Sequence, residues 1–222
     1  MRAAQGRRLR KGRISMKKEL GTAVYMLRHP FDGFWEMKYA GRGSLGMAVG
    51  LMALYFVTVI FDLQARSFMF NDHYNTALDL MYQLRVFLLP VALFLVANWS
   101  VTTLMDGKGT FRDIVMMLGY SFQPLILFQV LSTVLTHLLS LNELAYLMIF
   151  EGIGAAWFCI MAFIGMMEIH EYTFSKAIVT LFLTAAAAVI VAFICLLFFS
   201  LIQEIAGFVY SIYREITMRL YS

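Results

Sequence analysis

Long runs without a charged side chain dominate the chain. Nineteen uncharged residues separate Arg42 from Asp62, 20 separate Arg85 from Asp106, 29 separate Asp113 from Glu143, and 27 separate Lys176 from Glu204. Residues 144–167 add a 24-residue apolar segment interrupted by one carboxylate, Glu151. A helix needs roughly 20 apolar residues to cross about 30 Å of hydrocarbon. The pattern therefore predicts an all-α polytopic membrane bundle with five transmembrane helices, at about 44–61, 86–105, 114–140, 145–167 and 177–203. The third and fifth runs exceed the hydrocarbon thickness at about 1.5 Å per residue, so they should tilt, bend or run into the interface. Pro124 is the expected bend in the third.

Interfacial helices are expected at both ends of the bundle. Over 31–40, Asp32 can cap a short helix that gathers Phe31, Phe34, Trp35 and Tyr39 on one side, which suits a segment at headgroup level. Over 204–221, Ile205, Phe208, Val209, Ile212, Ile216 and Leu220 recur at helical spacing. Two readings of that last segment stay open: a separate interfacial helix, or an extension of the fifth span.

Composition narrows the class. Hydrophobic residues make up 61% of the 222, charged residues only 14%, and the mean hydropathy is +0.73. Soluble domains carry about 25% charged residues, so a water-soluble globule is excluded. Two cysteines, three prolines and 15 glycines also exclude a disulfide framework, a proline-rich linker and a collagen-like repeat.

Charge predicts the orientation. With the amino terminus inside, the inner segments hold 14 basic residues and the outer ones four, namely Arg66, Arg85, Arg214 and Arg219. Lysine and arginine are retained on the cytoplasmic side. The expectation is a cell inner (cytoplasmic) membrane protein with its amino terminus in the cytoplasm and its carboxyl terminus outside. Residues 1–20 read as a basic, disordered cytoplasmic tail and 21–222 as the membrane domain. The tail either sets topology or attracts anionic lipid; it has no aromatic or motif support for nucleic acid. A translation start at Met16 is an open alternative. It would remove six basic residues and take the formal charge from +4 to −2.

Polar side chains inside the spans must find a partner or a water-filled cavity. Asn98, Gln123 and Glu151 are the candidate sites, with His137 nearer the outer surface. Counting back from the 106–113 connection sets Asn98 level with Ser121 and Gln123, which predicts antiparallel second and third spans sharing a polar layer. The same counting about Asn142 sets Glu151 level with Thr133. Desolvation favours a neutral Glu151, hydrogen-bonded in the bundle; the functional alternative is a proton or cation site.

Catalytic and metal chemistry find no support. His170-Glu171 lacks the second histidine of an HExxH helix, His29, His73 and His137 belong to other segments, and Cys159 and Cys195 read as small core residues. No phosphate-binding glycine loop or nucleophile motif is present. The expectation is a non-enzymatic protein without cofactors. Gly46 and Gly50 form a GxxxG pair, with further small residues at Gly152, Gly154 to Ala156 and Ala185 to Ala188, read as intrachain packing surfaces.

Gly107-Lys108-Gly109-Thr110-Phe111-Arg112-Asp113, followed by Gly119-Tyr120-Ser121-Phe122-Gln123-Pro124, resembles the Yip family of five-span membrane proteins, short bacterial type. Gly119, Tyr120 and Pro124 carry the family's Gly-Tyr-Ser/Cys-x-x-Pro element. Trp157 leading to Gly165, His170, Phe174-Ser175 and Lys176-Ala177 is a second match, and His29-Pro30 to Trp35 a third. The resemblance implies five spans with termini on opposite sides. Eukaryotic relatives engage Rab-type GTPases, but this chain lacks their long cytosolic amino-terminal region, so a GTPase partner does not carry over. The expected partners are membrane lipids and other membrane proteins. The expected function is to bind or organise membrane components; a small transporter or an accessory subunit of a transport complex is the alternative.

Overall fold

The computed structural model describes residues 16–70 and 78–221, and these are helical with short connections. A hairpin of α1 (Met16–Arg28) and α2 (Pro30–Tyr39) leads into α3 (Leu45–Ala65). Then come α4 (Leu80–Leu104), α5 (Phe111–Ser121), α6 (Gln123–Leu135), α7 (Leu144–His170) and α8 (Phe174–Tyr221). Among the described residues, five segments are long and apolar enough to cross a membrane: α3, α4, the α5–α6 pair, α7 and α8. The fold is an all-α polytopic bundle.

Helix ends are set by local chemistry more than by charge. Ser44 caps α3, Asp79 caps α4, and Thr110 with Asp113 forms a reciprocal capping box at the start of α5. Charges expected to end spans instead lie inside helices, as Asp62 does in α3 and Arg85 in α4. Helix α1 begins at Met16, inside the segment expected to be disordered; residues 1–15 and His73 lie outside the described residues.

The bend forms where Pro124 predicts it. Helix α5 stops at Ser121 and α6 starts at Gln123, with Phe122 between them. Proline has no N–H to donate to the carbonyl four residues back, which here is Tyr120 O. The Gln123 side chain replaces that donor, with Nε2 at 2.9 Å from Tyr120 O.

Two packing units result. The first is a core of α2, α3, α5, α6 and α7, with Phe34, Met37, Ala48, Ile114, Met117, Tyr120 and Met161 buried together and α1 adding Ala23 and Met26. Helix α2 is therefore no purely interfacial segment. Phe31, Trp35 and Tyr39 are exposed as expected, but Phe34 turns inward against Gly165, and the residue capping α2 is His29 rather than Asp32. The second unit is α4 packed on α8, along a seam of buried small and hydroxyl residues: Ala97, Asn98, Thr102, Ala177, Thr180 and Thr184. Small residues let membrane helices approach closely.

Helix α8 continues without a break for 48 residues, about 72 Å at 1.5 Å per residue. The separate element expected over 204–221 is thus the last third of a continuous helix. Beyond Thr184 no position through Met218 is buried. Cys159 and Cys195, expected in the core, face outward. Gly46 and Gly50 are also exposed and touch no neighbouring helix, so the GxxxG pair is not an intrachain contact. The close approaches are at other glycines. A Cβ on Gly119 would lie 2.5 Å from Ala48 O, and one on Gly154 2.6 Å from Phe128 Cβ.

Candidate functional site

Three arrangements carry the chemistry of the bundle: an ionic cluster at the end where α3 finishes, a latch at the opposite end where α7 finishes, and an apolar slot between the two packing units.

The ionic cluster contains Glu151. Arg66, one residue past α3, donates Nη2 to Glu151 Oε1 at 2.7 Å and Nε to both Asp62 oxygens at 3.1 Å. Ser132 Oγ donates to Glu151 at 2.5 Å, and Thr133 Oγ1 donates to Asp62 at 2.6 Å. Thr136 Oγ1 receives the Ser67 N–H at 3.2 Å, and His137 Nε2 donates to Ala65 O at 2.7 Å. Glu151 thus sits opposite Ser132, one residue from the expected Thr133, and is ion-paired with a guanidinium instead of being held only by neutral donors. One cation between two carboxylates ties α3, α6 and α7 together. Asp62 and Arg66 read in the sequence only as the end of a span; their i, i+4 spacing is the signal that pairs them on one helical face.

The other two candidates do not meet. Gln123 serves the Pro124 bend, and Ser121 Oγ donates to Met117 O at 2.8 Å. Asn98 lies in the α4–α8 seam, where Nδ2 approaches Thr184 Oγ1 at 3.4 Å and Oδ1 has no partner among the described residues. The predicted polar layer across the second and third spans is absent because α4 turns its polar face to α8.

The latch closes on Glu171, which follows α7 in the left-handed region at φ 56°. A non-glycine residue there is unfavourable, and its carboxylate is held by three donors: Lys38 Nζ at 3.3 Å, Tyr39 Oη and Lys108 Nζ. Hydrogen bonds from Lys108 first, then from Tyr39, hold the Glu171 carboxyl down at about 2. Lys38 Nζ also donates to Ile169 O at 2.6 Å.

Beside the latch, the loop between α4 and α5 presses its backbone on His170. A Cβ on Gly107 would lie 2.7 Å from Tyr172 Oη and 2.9 Å from Thr102 O, and one on Gly109 2.8 Å from His170 Cε1. The Gly109 N–H donates to His170 Nδ1 at 3.3 Å. The motif residues therefore have physical reasons. Gly107 and Gly109 admit His170, Gly119 admits α3, Pro124 makes the bend, and Tyr120 receives the Ser44 N–H on its hydroxyl at 3.2 Å. Trp157 is exposed on the bundle surface.

The slot is a cavity of about 520 Å³, open along one side, between α4 and the core unit. Its walls are apolar, with aromatic rings from Phe87 and Phe94 of α4 and from Phe122, Phe158 and Phe163 of the core unit. Gln83 and Tyr55 bring the polar groups at its edge. Pro90, inside α4, lines it. A helix-interior proline removes one backbone hydrogen bond, and α4 nonetheless runs as one helix whose Phe87, Val91, Phe94 and Leu95 pack against the core beside the slot.

Five apolar spans, a bend at Gln123-Pro124 and a glycine-rich connection locked on His170 define a compact multi-pass helical membrane protein. The Yip1 domain model matches residues 24–196, most of the chain and all of its first four spans, and the protein belongs to that family. Comparison with curated proteins gives no match, and neither does comparison with solved structures.

Proposed function

We infer that this Yip1-domain protein is a non-enzymatic membrane protein that binds or organises other membrane components. The observation that carries the reading is the division of labour between polar and apolar surfaces. Among the described residues, the polar groups of the spans are divided between the Arg66 cluster, the Gln123 bend and the Asn98 seam, with no hydrogen bond linking one of these places to another. The feature left open toward the bilayer is the apolar slot, together with the unburied length of α8. Such surfaces suit membrane-embedded clients. The alternative, a subunit of a transport complex, draws on the same α8 surface.

The charge asymmetry supports placing the Glu171 latch and the amino terminus in the cytoplasm of a cell inner membrane, with α8 ending on the opposite side. Affinity purification of the full chain from its native membrane in mild detergent tests the reading. The expected result is reproducible co-isolation of membrane proteins or specific lipids. A stoichiometric transporter complex would move the function to the alternative, and isolation of the bare chain without either would contradict both.

A further inference from the structure

The slot between α4 and the core has the apolar lining and the length along α4 that suit a hydrocarbon chain. Along α4 it runs from Gln83 to Phe94, eleven residues or about 16 Å of helix rise. Its lining is apolar along that length, with Val86, Phe87, Pro90 and Val91 in sequence from α4. An extended alkyl chain laid along α4 meets apolar side chains over this whole stretch. The slot starts three residues after α4 begins at Leu80, so its Gln83 end lies near the edge of the apolar layer and its Phe94 end lies deep within it. An acyl chain descending from a headgroup takes the same course. The wall on the core side is fixed, since the Arg66 cluster ties α3, α6 and α7 together. Among the described residues that line the slot the side chains are uncharged, and the contacts it offers are those of an apolar chain.

We propose that this slot is a binding site for one acyl chain of a bilayer phospholipid, held by apolar contact along α4 and the core instead of by headgroup charge. The proposal deepens the binding reading above by naming a client for the slot. Ala162 and Val91 face each other's unit across it, from α7 and α4, and either can fill it when enlarged.

Native mass spectrometry of the full chain, extracted from its membrane and washed extensively in detergent, reads the occupancy. The wild type is expected to retain one phospholipid per chain, with headgroups in the proportions of the source membrane. Ala162→Phe should lower retention about tenfold, the equivalent of roughly 1.4 kcal/mol, while Ala162→Ser keeps it. Val91→Phe repeats the block from the other wall, and an unchanged thermal transition establishes that each variant is folded. A phospholipid with a diazirine in its acyl chain gives a readout on the wild type alone, with adducts expected in the 158–166 segment of α7. The proposal is overturned by a wild type without retained phospholipid, by equal retention in folded Ala162→Phe, by a sterol or isoprenoid as the occupant, or by adducts spread evenly over the exposed face of α8. If partners co-isolate while retention ignores the blocked slot, the acyl-chain site fails and the organiser reading stands. If phospholipid is retained through the slot but a stoichiometric transporter complex co-isolates, the reverse holds.

Discussion

Gln123, marked in the sequence as a polar site within a span, has a local structural task. Its amide donates to the Tyr120 carbonyl, whose helical donor four residues on is removed by Pro124. An unpaired buried carbonyl costs about 1–3 kcal/mol. Gln123→Leu should therefore destabilise the protein by about 1–2 kcal/mol in detergent melts, and the loss should shrink when Pro124→Ala restores the N–H. A double-mutant cycle without that coupling would refute the assignment. Glu151 was readable as a site, since hairpin counting placed it within one residue of Ser132, but its partner was not. Arg66 comes from a different span, and pairing between spans depends on which helices pack together. Removing that cation leaves two carboxylates unpaired. Arg66→Gln should cost about 2–3 kcal/mol, somewhat below a fully buried pair, and Glu151→Gln clearly less, as measured by thermal unfolding.

The spacing of uncharged residues located every span, but it misjudged several ends because caps and i, i+4 ion pairs let charges sit inside helices. It said less about which face of a helix is used. The GxxxG pair predicts close packing, but Gly46 and Gly50 meet open space, while the close contact of α3 is at Ala48 against Gly119. Gly119→Ala should thus cost about 1–3 kcal/mol by overpacking, with Gly50→Ala within about 0.5 kcal/mol of wild type; equal effects in melts would contradict this packing. The Glu171 latch joins α2, the α4–α5 loop and the end of α7 across more than a hundred residues, and no local pattern announces it. Its carboxyl is held at about 2, below the ordinary 4.5, so its contribution is complete above about 4.5 and is lost as pH falls toward about 2. The protection factors of the amides of residues 105–110, corrected for intrinsic exchange at each pH, should fall across that window and stay flat from there to neutrality. Because the latch is exposed, high salt should also weaken it.

At the scale of the whole molecule, the bundle is a clamped core with a second helix pair held beside it. Sequence supplied the class, the number of spans and the family motifs, whose glycines and proline have plain steric reasons. It did not supply the slot, because a cavity depends on how the side chains of α4, α7 and their neighbours pack in three dimensions, which no local pattern encodes. The account holds that polar groups build the bundle and that apolar surfaces meet its clients. Flux of ions and small solutes into liposomes containing the purified full chain tests this most directly. The account predicts no flux above protein-free liposomes; a saturable flux lost in folded Asn98→Ala or Glu151→Gln variants would contradict it.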